Sequence, residues 1–207
     1  MFHIGSKKEQ LIFDVDGVLL LWISGVIKFL ASKGLSTSHI DGTGNSFFTL
    51  EYIFAQDSFE KNMALYNEFK SSKYMGELEP YCKSVKRIVE DLAREYELSI
   101  VTCIGTDRGV VALREKNIQD CFGGAFETII CLDKTAPKLN ALKFLSETGG
   151  KVAGFIDDKG MHVHEGISAG LPSFQFIDGS PEHRILSSVE HLKNWGHIED
   201  KFILSRF

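Results

Sequence analysis

The stretch LIFDVDGVLL at residues 11–20 limits the possible folds more than any other part of the sequence. Its dense Leu, Ile, Phe and Val content is typical of a strand that is buried on both faces of a parallel sheet. Two aspartates, Asp14 and Asp16, nevertheless interrupt this strand at its end, and Gly17 follows them. Because an ionised carboxylate is destabilised when it leaves water uncompensated, the pair requires a nearby cation and an opening to solvent.

Four more apolar runs are predicted to form strands, and helical patterns separate the later ones. The five predicted strands cover residues 11–15, 98–103, 126–131, 152–157 and 173–177. The helical patterns cover 85–96 and 106–116, and two more begin near Pro137 and Gly160. Strands that alternate with helices predict an α/β fold, a three-layer Rossmann-like parallel sheet of about five strands with helices on both faces.

The segment of residues 20–78 does not follow this alternation. Between the first two strands it is far longer than a strand–helix–strand crossover needs. It contains a helical pattern at 24–33, a turn DGTGN at 41–45 and an apolar stripe through Phe59, Met63, Tyr66 and Phe69. We therefore predict a small α-helical cap inserted after strand 1 at 20–78, on an α/β core formed by 1–19 and 79–207.

Charge and composition exclude several classes of partner. The net charge of −5 provides neither a basic surface for nucleic acid nor a polybasic patch for a membrane. The apolar stretch at 18–31 is too short to span a bilayer and is interrupted by Lys28. The four cysteines show neither a CxxC pair nor zinc-site spacing, which favours reduced, packed thiols. We expect a cytoplasmic protein that captures any anionic substrate in a local site.

The polar residues at the ends of the predicted strands indicate where that site lies. In parallel α/β sheets, ligands bind beyond the carboxyl ends of the strands. The residues there are four carboxylates, one hydroxyl and two candidate ammonium groups: Asp14, Asp16, Thr102, Lys134, Lys138, Asp157 and Asp158. This mixture suits a hard divalent cation with oxygen ligands beside a pocket for a phosphoryl group. Asp14 and Asp16 share one strand face, so one can attack phosphorus while the other transfers a proton.

In these residues the sequence resembles the haloacid dehalogenase-like (HAD) superfamily of phosphotransferases. FDVDGVL matches the first motif of the superfamily, IVTC the second, DKTAPKLNAL the third and GFIDDKG the fourth. The four motifs occur in the right order, and the match covers residues 10–18 and 78–178. The resemblance implies a HAD-like hydrolase with a small helical cap.

The resemblance also implies a role for each motif residue. Asp14 would be the nucleophile that forms an aspartyl-phosphate, and Asp16 the general acid and base. Thr102 would donate a hydrogen bond to a phosphoryl oxygen. The next residue is Cys103, where family members often have Asn, so an extra polar contact with the substrate is weakened there.

The third motif leaves two candidates for the lysine that neutralises charge on the phosphoryl group. The superfamily often has KPxP where this sequence has KTAP, which favours Lys134. Lys138 is the rival, because it stands four residues before a helical leucine, Leu142. For the cofactor, the resemblance implies Mg²⁺ held by Asp14, the backbone carbonyl of Asp16, Asp158 and, directly or through water, Asp157.

The leading hypothesis is therefore a Mg²⁺-dependent phosphatase that acts on a small phosphorylated metabolite, with the cap selecting the leaving group. One alternative is a mutase of the same family that returns the phosphoryl group to a sugar. Another is a catalytically inactive HAD-like protein with a binding or regulatory role. Dehalogenation is less favoured, because the family's dehalogenases usually lack the general acid that Asp16 provides.

Overall fold

The computed structural model describes residues 8–40, 49–177 and 186–206, and the predicted turn at 41–45 lies outside them. The described residues form an α/β fold around one six-stranded sheet, in which every neighbouring pair of strands is parallel. The strands are β1 (Gln10–Phe13), β2 (Glu97–Cys103), β3 (Phe126–Leu132), β4 (Val152–Asp157), β5 (Ser173–Phe176) and β6 (Glu190–Leu192). Their order across the sheet is β3-β2-β1-β4-β5-β6, so β1 lies in the middle. The predicted fold class is confirmed.

Eight α-helices accompany the sheet in the described part of the chain. They are α1 (Trp22–Ser32), α2 (Leu50–Phe54), α3 (Phe59–Lys70), α4 (Val85–Glu95), α5 (Arg108–Phe122), α6 (Leu139–Thr148), α7 (Gly160–Ser168) and α8 (Trp195–Phe202). The first three lie between β1 and β2, and a 3₁₀ turn at Lys73–Met75 follows them. None of these helices is both long and apolar enough to cross a membrane.

Helix α5 extends six residues beyond the predicted end at residue 116, and its limits have a local cause. The Asp107 side chain accepts hydrogen bonds from the backbone N–H groups of Gly109 and Val110, which satisfies donors that the first turn leaves free. The helix ends at Gly123, where φ is +59° and a side chain would be strained. This longer helix carries one residue that becomes important at the site.

The central strand is held from the C-terminal end of the chain. All four residues of β1 are buried, and the Phe13 ring stacks on the Trp195 ring at a centroid distance of 5.9 Å. Trp195 Nε1 also donates a hydrogen bond to the Val18 carbonyl at 2.9 Å. An aromatic pair of this kind contributes about 1 kcal/mol beyond its burial. Helix α8 therefore fixes both β1 and the turn that follows it.

The segment between β1 and β2 leaves and rejoins the sheet at neighbouring points. Leu20 forms an antiparallel bridge with Pro80, and Tyr81 N donates to the Leu19 carbonyl at 2.9 Å. Inside the segment, the Phe69 ring packs against the rings of Trp22 and Phe29, each at 5.6 Å. The bridge and the Tyr81 hydrogen bond bring the two ends of the segment side by side. Its assignment as a separate cap domain stays a prediction.

Candidate active site

The carboxyl ends of β1, β2 and β4 meet at one edge of the sheet. Phe13, the last residue of β1, lies between Ile100 of β2 and Ile156 of β4. Asp14 follows Phe13, and its backbone N–H donates to the Ile156 carbonyl at 2.9 Å. This register places the residues that end each strand in one small volume.

Three carboxylates and one lysine form a buried cluster there. Asp14, Asp157 and Asp158 each offer a carboxylate oxygen, and these oxygens lie within 4.8 Å of one another. Lys138 Nζ donates to Asp14 Oδ1 and to Asp157 Oδ2, both at 2.7 Å. The Lys138 side chain is completely buried. Lys138, even together with the ammonium group of the neighbouring Lys159, leaves an excess of negative charge if all three carboxylates are ionised.

The pKa values in the cluster reflect this imbalance. Burial alone would raise the pKa of Asp14, but the ammonium group of Lys138 outweighs that effect, and the pKa falls below its usual value. The pKa of Asp158 is raised well above its usual value by burial and by the negative charges of Asp157 and Asp14. Oxygen ligands with an excess of negative charge fit a hard divalent cation, which would relieve this repulsion.

Helix α7 fixes the backbone of Lys138 through Glu165. The Lys138 backbone N–H, at the start of α6, donates to Glu165 Oε2 at 2.7 Å. The same oxygen lies 3.2 Å from Nδ1 of His162, which is buried. Burial alone would lower the pKa of Lys138, but the charges of Asp14 and Asp157 outweigh it, so the pKa is raised and the ammonium group stays protonated.

Asp16 lies outside the cluster and has its own cation. Its Oδ1 accepts a hydrogen bond from Arg114 Nη2 at 2.5 Å. The Asp16 side chain is 26% exposed, whereas the Arg114 side chain is completely buried. Burial raises the pKa of Asp16, the charge of Arg114 opposes this, and the net shift is upward. The two aspartates of the first motif are therefore held by different cations and have pKa values shifted in opposite directions.

Two further residues of the predicted site, Thr102 and Cys103, are the last two residues of β2. Thr102 is buried in this strand, which lies beside β1. The half-buried Cys103 thiol donates to the Ala136 carbonyl at 3.6 Å, and burial raises its pKa to about 11. The thiol is therefore neutral at physiological pH and is a poor nucleophile.

Comparison with known proteins gives few relatives in sequence and many in structure. No family model matches the sequence. An uncharacterized 32.4 kDa protein from the Gp30–rIII intergenic region of Enterobacteria phage T4 is 24% identical over 197 residues, which are 94% of this chain and 69% of the phage protein.

Several solved structures superpose on nearly the whole chain. A putative phosphatase from Clostridium difficile matches with a TM-score of 0.68 and 20% identity, over 96% of this chain and 100% of its own. A haloacid dehalogenase-like hydrolase, SP0104 from Streptococcus pneumoniae, matches with 0.62 and 18%, over 83% and 86%. The putative HAD-hydrolase YfnB from Bacillus subtilis, bound to magnesium, matches with 0.61 and 12%, over 95% and 99%. The chain has the haloacid dehalogenase-like fold.

The structure disagrees with the preference for Lys134 as the lysine beside Asp14. Lys138 contacts Asp14, whereas Lys134 is exposed and its Nζ lies 4.0 Å from the centroid of the Tyr66 ring in α3. The reason is that the first turn after β3 carries Lys134 outward. Lys138, at the start of α6, lies close enough to reach the cluster.

The structure also adds Arg114, which the sequence reasoning missed. Helix α5 buries Val110, Arg114, Asn117 and Ile118 on one face. These positions have the spacing of an apolar helical stripe, so an arginine among them was an available signal of an internal ion pair. The carboxylate of Asp16 accepts a hydrogen bond from this arginine. A metal contact through the Asp16 backbone carbonyl stays a prediction.

Proposed function

We propose that this protein is a Mg²⁺-dependent phosphatase that hydrolyses a small phosphomonoester through an aspartyl-phosphate intermediate. The observation that carries the proposal is the buried Lys138, which bridges Asp14 and Asp157 beside Asp158. The matching protein from Clostridium difficile is named a putative phosphatase, and the matching YfnB structure holds magnesium, which supports the same chemistry here.

Asp14 is the proposed nucleophile. A nucleophilic carboxylate must be ionised, and the contact with Lys138 lowers the pKa of Asp14 below its usual value. The same contact fixes Oδ1, so that the carboxylate meets the phosphorus atom in one orientation. Thr102 donates its hydroxyl hydrogen to a phosphoryl oxygen in this proposal, and Lys138 offsets part of the charge on the phosphoryl group.

Asp16 is the proposed general acid and base. In the first step its carboxyl proton moves to the leaving oxygen of the substrate as the P–O bond breaks. In the second step its carboxylate takes a proton from the water that attacks the aspartyl-phosphate. A raised pKa suits the first step, because more of the carboxyl group is protonated near neutral pH.

Mg²⁺ is the proposed cofactor, with Asp14, Asp157, Asp158 and the Asp16 backbone carbonyl as the residues that would hold it. When bound, the ion supplies positive charge to the three carboxylates and to the incoming phosphoryl group. The oxygen-only donor set and the raised pKa of Asp158 support a hard divalent cation at this place.

The presence of Asp16 favours hydrolysis of a phosphate ester over dehalogenation. An alkoxide leaving group needs a proton as its bond to phosphorus breaks, whereas a halide ion leaves without one. Asp16 lies next to the cluster and is partly exposed, so it is accessible to a leaving group.

The proposal is tested by phosphate release from p-nitrophenyl phosphate and from a panel of phosphorylated metabolites, with Mg²⁺ and with EDTA. We expect turnover that depends on Mg²⁺, and a loss of at least about 1,000-fold in Asp14→Asn. Asp120→Asn is the matched control, because this exposed carboxylate on α5 forms a surface ion pair with Lys116. Turnover by Asp14→Asn at the wild-type rate would refute the nucleophile assignment.

A further inference from the structure

Arg114 is a fully buried cation whose hydrogen bonds are incomplete. Its Nη2 donates to Asp16 Oδ1 at 2.5 Å and lies 4.0 Å from Sδ of Met75. Its Nε and Nη1 are also buried, and neither has a hydrogen-bond partner among the residues that the structure describes. A guanidinium group carries five N–H donors, so a large part of its bonding capacity is unused.

This arrangement is a poor way to stabilise a fold. Buried donors without partners are unfavourable, and an apolar side chain of similar volume is often at least as stable in place of a buried ion pair. The partner also depends on the arginine less than a fully buried carboxylate would, because the Asp16 side chain is 26% exposed and water reaches part of it. Stability therefore gives no reason for an arginine at this position.

The position does suit an orienting role. Arg114 lies in the middle of α5, between the buried residues Val110 and Ile118, so its backbone is fixed by packing. Met75, which follows α3, contacts the guanidinium group from the segment between β1 and β2. A planar guanidinium group held in this way gives the carboxylate it contacts a defined direction.

We propose that Arg114 is a positioning residue that orients the Asp16 carboxyl group toward the leaving oxygen of the substrate. The role rests on the proposed phosphatase function. As the P–O bond breaks, the proton moves from Asp16 to that oxygen, and Arg114 keeps all of its own protons. The effect of Arg114 therefore depends on how strongly the leaving group needs a proton. Alkyl phosphates release a basic alkoxide and need it most, whereas p-nitrophenyl phosphate releases a stable phenolate and needs it least.

The test compares these two kinds of ester in wild-type protein and in Arg114→Met. We expect kcat to fall about 100-fold for glycerol phosphate and less than about 5-fold for p-nitrophenyl phosphate, with little change in either KM. Arg114→Lys keeps the charge but not the planar group, so it should restore kcat for glycerol phosphate only in part. The matched control is Arg108→Met, which removes an exposed arginine from the same helix and should behave as wild type.

Two further measurements separate an orienting role from a structural one. The melting temperature of Arg114→Met should equal or exceed that of wild type. The second measurement uses an Asp16→Asn background, in which no carboxyl proton remains to be oriented. There, Arg114→Met should cause no further loss of kcat for phenyl phosphate, an ester whose leaving group is intermediate between the other two.

Equal losses of kcat for both esters, a strongly lowered melting temperature or additive losses in the double variant would overturn the positioning role while leaving the phosphatase proposal intact. Wild-type protein that releases phosphate from neither ester would overturn the phosphatase proposal itself, and this role with it.

Discussion

The two aspartates of the first motif are each paired with a fully buried cation, but the two cations differ in how well they are satisfied. Lys138 contacts two carboxylates at 2.7 Å each, and its backbone is held by Glu165. Arg114 contacts one carboxylate, and two of its nitrogens have no partner in the described parts of the chain. In the proposed mechanism, Lys138 therefore stabilises the fold as well as the reacting groups, whereas Arg114 has a role in the reaction that the fold does not need.

The largest expected effect is that of Lys138→Met, which tests the first half of this comparison. The substitution leaves three buried carboxylates without their ammonium group, and breaking a buried ion pair in this way costs about 3–5 kcal/mol of unfolding free energy. Phosphate release should fall to background. Urea unfolding in the absence of Mg²⁺ measures the stability, and Lys143→Met, which removes an exposed lysine from the same helix, is the control. An undiminished unfolding free energy would show that the cluster does not depend on its lysine.

The second prediction concerns the excess negative charge that Lys138 leaves uncompensated. Mg²⁺ at about 100 times its dissociation constant should stabilise the protein by about 2.7 kcal/mol, measured as a rise in melting temperature. At one fixed Mg²⁺ concentration, this stabilisation should be larger at about pH 8 than at about pH 5.5, because protons compete with the ion for Asp158.

The direction of this pH dependence follows from the pKa of Asp158, which is raised above its usual value of 3.8 in the folded protein. The ion-free fold is stabilised when this carboxyl group is protonated, and that stability is lost as pH rises through the raised pKa. Above it, Mg²⁺ replaces the missing proton. Asp158→Asn should remove most of the pH dependence of the Mg²⁺ effect. A Mg²⁺ effect of equal size at both pH values in wild-type protein would contradict the proposed site.

The sheet itself could be predicted because its strands are unusually apolar and its helices periodic. The runs that became β1, β2, β4 and β5 are almost entirely buried, so their apolar composition marked them. The run that became β3 is equally apolar, although this strand lies at the edge of the sheet and is mostly half-buried. Strand β6 has the sequence EHL, which is too short and too polar for such a signal. It forms because the backbone of β5 offers an open edge, as in the pairing of Gln175 with His191. That edge exists only once the sheet has been assembled.

The sequence was enough to predict which strand-end residues form the candidate site, but not which of them contact one another. Residues at the ends of parallel strands converge whatever the loops do, which is why Asp14, Asp157 and Asp158 were placed together. The choice between Lys134 and Lys138 depended on the path of the loop between β3 and α6, and the sequence motif does not determine that path. Arg114 was missed because it reaches the site from the middle of a helix, and the strand ends do not point to it.

The smallest expected effect is that of Lys134→Met. Lys134 is a third cation near the site, to be compared with Lys138 and Arg114. Lys134 is exposed and makes a cation–π contact with Tyr66, so its removal should change the unfolding free energy by less than about 1 kcal/mol. As an exposed cation it attracts an anionic ester without touching Asp14. We therefore expect KM to rise about threefold at low ionic strength, a difference that disappears in about 0.5 M salt, with kcat within twofold of wild type. Lys143→Met again gives the effect of removing a surface charge elsewhere. A 100-fold loss of kcat in Lys134→Met would instead mean that this lysine turns inward when substrate binds, and that Lys138 is chiefly a structural cation.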